Sequence, residues 1–334
     1  MAERPGWRVS AVIPAYNRAD FLAETIGSIL AQTEPPDEII VVDDGSTDHT
    51  PQVVAGFAGQ VRSARIANSG APVARNVGAA MAGGDWLWFC DSDDLWRPEY
   101  LARCRALASA DPGPRYIFGD FRLVRGGTWE PTAKFQTAPP GYWDAIGRVA
   151  APGGWIATSP LYRAVLAFQP IFHSTLLVRR DFFQSIGGYD ERFARTGSED
   201  FEFVLRCAAE APAGVVEEPL VGIRRHPGNF SGDQLRSLLG EIDILQHARS
   251  SHPAAALHGD LIEAEITRRT LEALDQAFAA DDFSRVGELA RRLDGKLVDR
   301  RSRLKIAVAG LPPAMRAPLI QVARLRDIRR AATA

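Results

Sequence analysis

Short apolar runs alternate with amphipathic segments along the first third of the chain, and this alternation most limits what the chain can fold into. The apolar runs are rich in β-branched and aromatic residues, which favours buried strands, and they lie at 9–14, 38–42, 61–66 and 86–90. The segments between them have helical spacing and begin near Asp20, Thr50, Pro72 and Pro98. Strands and helices that alternate at this spacing predict an α/β fold, with a mostly parallel sheet flanked by helices.

A polar cluster follows three of the four predicted strands. The clusters are Pro14-Ala15-Tyr16, Asp43-Asp44-Gly45-Ser46 and Asp91-Ser92-Asp93-Asp94. Ligands of parallel sheets bind beyond the carboxyl ends of the strands. We therefore expect the three clusters to meet at one edge of the sheet.

The segment 91–94 is the most informative cluster, because it holds three carboxylates in four residues. Their mutual repulsion calls for a compensating cation, and hard oxygen ligands suit Mg²⁺ or Mn²⁺. A solvated turn explains the same residues, since aspartate is favoured in turns, and Asp43-Asp44 has the composition of a type I turn. The residues alone leave both interpretations open.

Three further groups have a chemical and a structural interpretation. Arg75 suits bidentate contact with a phosphate or a base, and it suits a surface ion pair equally well. Glu199 and Asp200 form a carboxylate pair, although acidic residues are favoured at any helix N-terminus. His226 is either a ligand or, as is more common for a single histidine, a structural residue.

The middle of the chain, 125–165, is rich in Gly, Pro and Trp and has little periodicity, which predicts long loops near a site or a variable subdomain. Its Trp129, Trp143 and Trp155 suit either stacking on sugars or packing. Beyond it, the pattern predicts a strand at 174–178, a helix at 199–209, short strands at 215–218 and 222–225, and only helices from 234 onward.

Composition excludes several classes of protein. Apolar residues make up 46% and charged residues 24% of the 334 residues, which is ordinary for a globular protein. No run reaches ~18 uncharged apolar residues and the N-terminus lacks an apolar signal core, so we expect neither a membrane span nor secretion. The three cysteines are scattered and odd in number, which indicates buried thiols in a cytoplasmic protein.

Charge is distributed unevenly. From Arg285 to the end there are 13 basic and 4 acidic residues, which leaves 26 basic and 37 acidic residues before it. The acidic body argues against a nucleic-acid partner. In the basic C-terminal region, apolar residues at 304–308 and 319–325 are interleaved with arginines, which suits a surface lying on an anionic membrane or a helical cap with a solvated basic face.

The ordered series of motifs resembles the family 2 glycosyltransferases, which have the GT-A fold. The matching segments span about 9–232 and include VIPAYNRAD, EIIVVDDGSTD, NSGAPVARN, FCDSDD, GSEDFEFVLR and RRHPGNFS. The resemblance implies a GT-A domain over 1–232, with a nucleotide-sugar half at 1–120 and an acceptor and catalytic half at 121–232. A helical C-terminal region would then occupy 233–334.

The resemblance also implies roles for the donor side. Pro14, Ala15 and Tyr16 would line the nucleotide pocket, Asp43 and Asp44 would contact the uracil edge, and Arg75 would lie near the base and phosphates. Asp91 would contact ribose or metal and Asp93 would bind the divalent ion, while Ser92 and Asp94 would complete the donor-binding tetrad.

On the acceptor side, the resemblance makes Asp200 the general base, supported by Glu199. His226 would lie near the metal or the diphosphate, and Arg206 would anchor the helix or an acidic partner.

The implied function is inverting, metal-dependent transfer of a sugar from a nucleotide-diphosphate donor, expected to be a UDP-sugar, with Mn²⁺ or Mg²⁺ as cofactor. The acceptor would be a glycan or lipid-linked saccharide, and the protein would be cytoplasmic, with peripheral contact at the inner face of the membrane. The alternative is a non-catalytic nucleotide- or glycan-binding module of the same fold. A nucleotidyltransferase is disfavoured, since PAYNRAD lacks a Gly- and Lys-rich phosphate loop.

Overall fold

The computed structural model describes residues 7–110, 113–226, 233–316 and 318–320. The chain forms two compact units. The first comprises residues 1–195 and 199–229 and contains the sheet, and the second comprises residues 196–198 and 230–334 and is helical where described.

The first half of the first unit has the predicted alternation. Its elements are β1 (Val9–Ala15), α1 (Ala19–Leu30), β2 (Glu38–Asp43), α2 (Thr50–Gly56), β3 (Arg62–Arg65), α3 (Ala71–Met81) and β4 (Trp86–Phe89). The strands pair in parallel in the order β3-β2-β1-β4. Every residue of β1 is buried, as expected for a central strand covered on both faces. The α/β prediction is confirmed.

The second half extends the same sheet. Its elements are β5 (Leu95–Trp96), α4 (Tyr100–Ala108), β6 (Tyr116–Arg125), β7 (Thr128–Ala133), β8 (Arg148–Ala151), β9 (Gly154–Ala157), α5 (Tyr162–Ala167), β10 (Leu177–Arg179), α6 (Arg180–Ser185), α7 (Glu199–Ala208) and β11 (Ala213–Arg225). The sheet continues from β4 as β10-β6-β11-β9-β8, and β10 runs antiparallel to both of its neighbours. Because β10 is reversed, its first residue, Leu177, lies beside Trp88 near the end of β4 and beside Ile117 near the start of β6.

The prediction of long loops at 125–165 is wrong. This segment contributes β7, β8, β9 and α5, and β9 pairs with β11 inside the sheet. Trp143 packs against Phe135 with ring centroids 4.4 Å apart, and Trp155 is buried. The strands at 215–218 and 222–225 are likewise one strand, β11, whose register shifts between Val216 and Val221.

The second unit contains α8 (Gln234–Ser251), α9 (Ala255–Ala279), α10 (Phe283–Arg291) and α11 (Arg300–Ala309). Arg269 is buried and pairs with Glu241 at 2.7 Å and with Glu265. In α11, Lys305 is buried and both it and Arg301 pair with Asp275. These α11 cations are therefore engaged inside the unit.

No helix within the described ranges combines the length and the apolar character needed to cross a membrane. The later part of the basic region, 321–334, lies outside the described residues.

Gly78 lies where α3 packs against the sheet, and a substitution there tests this packing. A Cβ at this position would overlap Cγ1 of Val12 in β1, whereas a Cβ at Gly27 in α1 meets nothing within 4 Å. We expect Gly78→Ala to destabilise the protein by about 1–3 kcal/mol through overpacking. Gly27→Ala, the matched control, should be neutral or stabilising by up to about 1 kcal/mol. Urea unfolding of both variants measures the difference, and equal stabilities would contradict this account of the packing.

Candidate active site

The loops that follow β1 and β2 are bound to each other. Asn17 adopts a positive φ of 51°, and its Oδ1 accepts a hydrogen bond from the Thr47 N–H at 2.8 Å. The Asn17 N–H donates to Ser46 Oγ at 3.0 Å. Two strand ends thereby form one wall, on which Pro14 and Ala15 are buried and Tyr16 is 43% exposed.

Asp43 and Asp44 are buried and bonded to this wall. Asp43 accepts from the Ser46 N–H at 2.9 Å. Asp44 accepts from the N–H groups of Ser69 and Gly70 at 2.7 and 2.8 Å, so both of its oxygens are engaged. The second carboxylate therefore holds the loop that leads into α3.

Ser92 and Asp94 are also held within the protein. Both Asp94 oxygens are taken, one by Ser174 Oγ at 2.5 Å and the other by the Arg224 N–H at 2.8 Å. Burial, with the neighbouring charges of Asp93 and Asp91, raises the pKa of Asp94 well above its usual value. Ser92 is buried, and its carbonyl accepts from Thr25 Oγ1 at 3.2 Å.

Asp93 lies between two cationic or potentially cationic groups. Its Oδ2 is 3.1 Å from Nε of Arg18 and 3.1 Å from Nε2 of His226. The His226 ring stacks on Phe21 at a centroid distance of 4.2 Å. The tetrad and His226 are thus brought together, although 133 residues separate Asp93 from His226 in the chain.

Arg75 joins the end of β4 to the start of α7. It is only 4% exposed, which excludes the surface ion pair considered from the sequence. Its Nη2 donates to Oδ1 of Asp91 at 2.7 Å, and Nη1 lies 3.8 Å from Oε1 of Glu199. The Arg75 Nε and Nη1 are buried and have no hydrogen-bond partner among the described residues.

Glu199 and Asp200 have pKa values shifted in opposite directions. Burial, reinforced by Asp200 and opposed by Arg75, raises the pKa of Glu199 to about 7. Burial would also raise the pKa of Asp200, but His173 and Arg75 outweigh it and hold that pKa below its usual value. At neutral pH Asp200 is therefore ionised, while Glu199 is present in both its protonated and its ionised form.

Sequence reasoning missed three residues that contact this site. Arg18 touches Asp93, His173 Nδ1 lies 3.2 Å from Asp200 Oδ2, and Ser174 binds Asp94. Arg18 lies inside VIPAYNRAD, and His173 and Ser174 lie at the start of FHSTLLVRRDFFQSIGGYDERF, a further segment that matches the family; these matches are the signal that the sequence offers. Arg206, by contrast, anchors its helix as expected, since it pairs with Glu202 at 2.6 Å and donates to the Ile186 carbonyl.

The donor types present suit a divalent cation, although their atoms are not gathered around one point in this structure. Asp91 and Asp93 supply carboxylates, and His226 Nε2 lies 3.1 Å from Asp93 Oδ2. Hard ions such as Mg²⁺ and Mn²⁺ take few protein carboxylates and complete their shells with water and phosphate oxygens. Asp94 does not fit as a ligand in this arrangement, because both of its oxygens are engaged.

Two family models match the chain: "Glycosyl transferase family 2" over residues 10–153 and "Glycosyltransferase like family 2" over residues 155–247. The chain belongs to the family 2 glycosyltransferases. Validoxylamine A glucosyltransferase of Streptomyces hygroscopicus subsp. limoneus is 31% identical over 258 residues, which cover 67% of this chain and 54% of that protein. The succinoglycan biosynthesis protein ExoO of Rhizobium meliloti is 42% identical over 104 residues, 30% of each chain. The chain spans about a third to a half of the length of the curated relatives it matches.

Solved structures share the fold. The crystal structure of S. aureus TarS 1–349 in complex with UDP-GlcNAc has a TM-score of 0.61 at 19% identity, covering 96% of this chain and 88% of that one. The mannosyltransferase PcManGT from Pyrobaculum calidifontis, in complex with GDP-Man and Mn²⁺, has a TM-score of 0.52 at 20% identity, covering 96% and 87%. These likenesses establish the GT-A fold predicted from the motifs.

The raised pKa of Glu199 predicts a dependence of stability on pH. Its proton is bound more tightly in the folded chain, so the stabilisation is complete below pH 4.5 and is lost as pH rises through about 7. Between these limits the wild type should lose about 3 kcal/mol of unfolding free energy relative to Glu199→Gln. Urea unfolding from pH 4.5 to 8 in EDTA measures this. Glu218→Gln, on an exposed side chain, is the control and should follow the wild type; parallel curves for Glu199→Gln and wild type would refute the shift.

Proposed function

We propose that the protein is an inverting, metal-dependent glycosyltransferase that moves a sugar from a UDP-sugar to a hydroxyl of a glycan or lipid-linked saccharide. The observation that carries the proposal is the Arg75 bridge, which unites the aspartates after β4 with the acidic pair at the start of α7. The aspartates that would bind the charged donor and the carboxylate that would accept the proton therefore belong to one site. The opposite pKa shifts of Glu199 and Asp200 give that pair a catalytic character.

The reaction needs a base on the face of the sugar opposite the diphosphate. Asp200 is ionised at neutral pH and its side chain is 28% exposed, so it can receive the acceptor's hydroxyl proton as the oxygen attacks. The new bond from oxygen to the anomeric carbon forms as the bond to the diphosphate breaks, and one displacement inverts that carbon. Glu199 lies beside the base, and its Oε1 is 3.8 Å from Nη1 of Arg75. From there it would support the base or contact the acceptor.

The donor would occupy the wall made by the ends of β1, β2 and β4. Tyr16 offers an exposed ring for the base, and Arg75, which holds Asp91 at 2.7 Å, would lie near the base and phosphates. Asp91 and Asp93, with His226, would hold Mn²⁺ or Mg²⁺, which when bound stabilises the negative charge of the departing diphosphate. The ligands of the two similar structures, UDP-GlcNAc and GDP-Man with Mn²⁺, support a nucleotide-sugar donor.

Site variants test these roles. Asp200→Asn should lower transfer at least about 100-fold and leave UDP binding intact, because the amide cannot accept the proton. Asp93→Ala should weaken metal-dependent UDP binding roughly tenfold or more. Release of UDP from a panel of UDP-sugars with Mn²⁺ or Mg²⁺ measures transfer, and calorimetry measures binding.

The controls decide between enzyme and binding module. Asp181→Asn, at an exposed surface carboxylate, should leave both readouts unchanged. UDP binding without turnover of any donor would favour the non-catalytic module. Absence of both binding and turnover would overturn the proposal altogether.

We also infer a cytoplasmic location with peripheral contact at the inner face of the membrane. The support is the surplus of arginines at the C-terminus, four of which lie in 321–334 with one aspartate. The α11 cations that pair with Asp275 do not contribute.

Deletion of 321–334 tests this contact. The full chain should co-sediment with phosphatidylglycerol vesicles and not with phosphatidylcholine vesicles, and the deletion should abolish co-sedimentation, since each basic residue near the surface contributes about 1 kcal/mol. Binding that is equal in both chains, or absent from the full chain, would exclude the tail as a membrane anchor.

A further inference from the structure

His173 is a buried histidine that contacts the carboxylate of Asp200. It lies in a 3₁₀ turn, His173–Thr175, immediately before β10, and its side chain is 1% exposed. Nδ1 lies 3.2 Å from Oδ2 of Asp200, the base of the proposed function. Among the described residues neither ring nitrogen makes a hydrogen bond of good geometry, so the link between Nδ1 and Asp200 is a close polar contact.

The ring is fixed by packing as well. Its centroid lies 5.3 Å from that of Tyr189, which in turn stacks on Phe203 of α7 at 4.2 Å. The next residue, Ser174, is bonded to Asp94 and to the Asp91 N–H. The histidine is therefore held on both sides, by the aromatic cluster and by the aspartate tetrad, and it cannot follow Asp200 if that side chain turns away.

The tautomer follows from charge and geometry. Burial and the nearby Arg75 cation lower the pKa of His173, while Asp200 and Asp91 oppose the shift, so the ring is neutral at pH 7. A neutral ring carries one proton, and the nitrogen that faces the ionised carboxylate is Nδ1. The proton then belongs on Nδ1, which lies 3.2 Å from Asp200 Oδ2, and Nε2 is the unprotonated nitrogen.

We propose that His173 is a positioning residue that orients the Asp200 carboxylate and keeps it ionised through the Nδ1–H donor. The inference deepens the proposed function, because it rests on Asp200 as the base of the same site. It assigns no proton transfer to the histidine, since the buried Nε2 has no partner to pass a proton to. The charged and titratable groups that face the ring are Asp200 from α7, Arg75 from α3, Asp91 after β4 and Tyr189.

Two substitutions distinguish the effect of the Nδ1–H donor from the effect of side-chain volume. Asn at 173 places an amide N–H close to the position of Nδ1, whereas Leu fills a similar volume with no donor. We expect His173→Leu to lower kcat roughly 100-fold, as a misplaced catalytic group does, with the KM for the donor sugar and the affinity for UDP unchanged. The acidic limb of the kcat profile should move to higher pH. His173→Asn should recover most of the loss, and His258→Asn, at a half-buried position in the second unit, is the control.

Three results would overturn the proposed role of His173. If Leu and Asn lose kcat equally, or if Leu lowers UDP affinity in proportion to kcat, His173 supports the fold and does not orient the base. If His173→Leu retains wild-type kcat, the contact has no role in the reaction.

A second readout needs no turnover. ¹⁵N NMR of the histidine side chains, assigned with His173→Asn, should show a neutral ring protonated on Nδ1 between pH 6 and 8, and Asp200→Asn should change its Nδ1 signal. An Nε2-protonated or cationic ring would overturn the inference. If the wild type transfers no sugar but the ring shows the expected tautomer and coupling, the proposed function fails while the contact stands.

Discussion

The buried guanidinium of Arg75 is the interaction on which the rest of the site depends. Carboxylates after β4 and at the start of α7 approach one another at partly buried positions, where like charges repel more strongly than in water. Arg75 lies between them, 2.7 Å from Asp91 and 3.8 Å from Glu199, and supplies the opposite charge. Its position follows from α3, which packs closely on the sheet because Gly78 has no side chain. A helix-packing detail thus determines whether the two acidic motifs form one site.

The reversed strand β10 has the next largest effect. Because it is antiparallel to β4, the turn that precedes it lies where β4 ends. Ser174 in that turn binds Asp94, and His173 contacts Asp200. One short turn therefore supports both the aspartate tetrad and the acidic pair of α7, which belong to distant parts of the chain.

Adjacent acidic residues acquire different chemistry from different neighbours. Glu199 and Asp200 are consecutive in sequence, yet the pKa of the first is raised to about 7 and the pKa of the second is lowered. Burial acts on both, and the contact with His173 decides the difference. Asp91 and Asp94 diverge similarly, since Asp91 faces Arg75 and is partly exposed while both oxygens of Asp94 are engaged by the protein.

By itself the sequence determined the α/β alternation, the edge of the sheet that carries the polar clusters, and the motifs at 91–94 and 199–200. Buried strands and amphipathic helices carry that information locally, so 9–108 was predictable nearly element by element. Only the tertiary structure decided that 125–165 forms strands, because β8 and β9 have four residues each and depend on pairing with each other and with β11. The tertiary structure also decided which residues Arg18, Arg75 and His173 contact. Their contacts join residues from 16 positions apart, as for Arg75 and Asp91, to 124 positions apart, as for Arg75 and Glu199. A pKa depends on what lies within a few ångströms rather than on what is next in the chain.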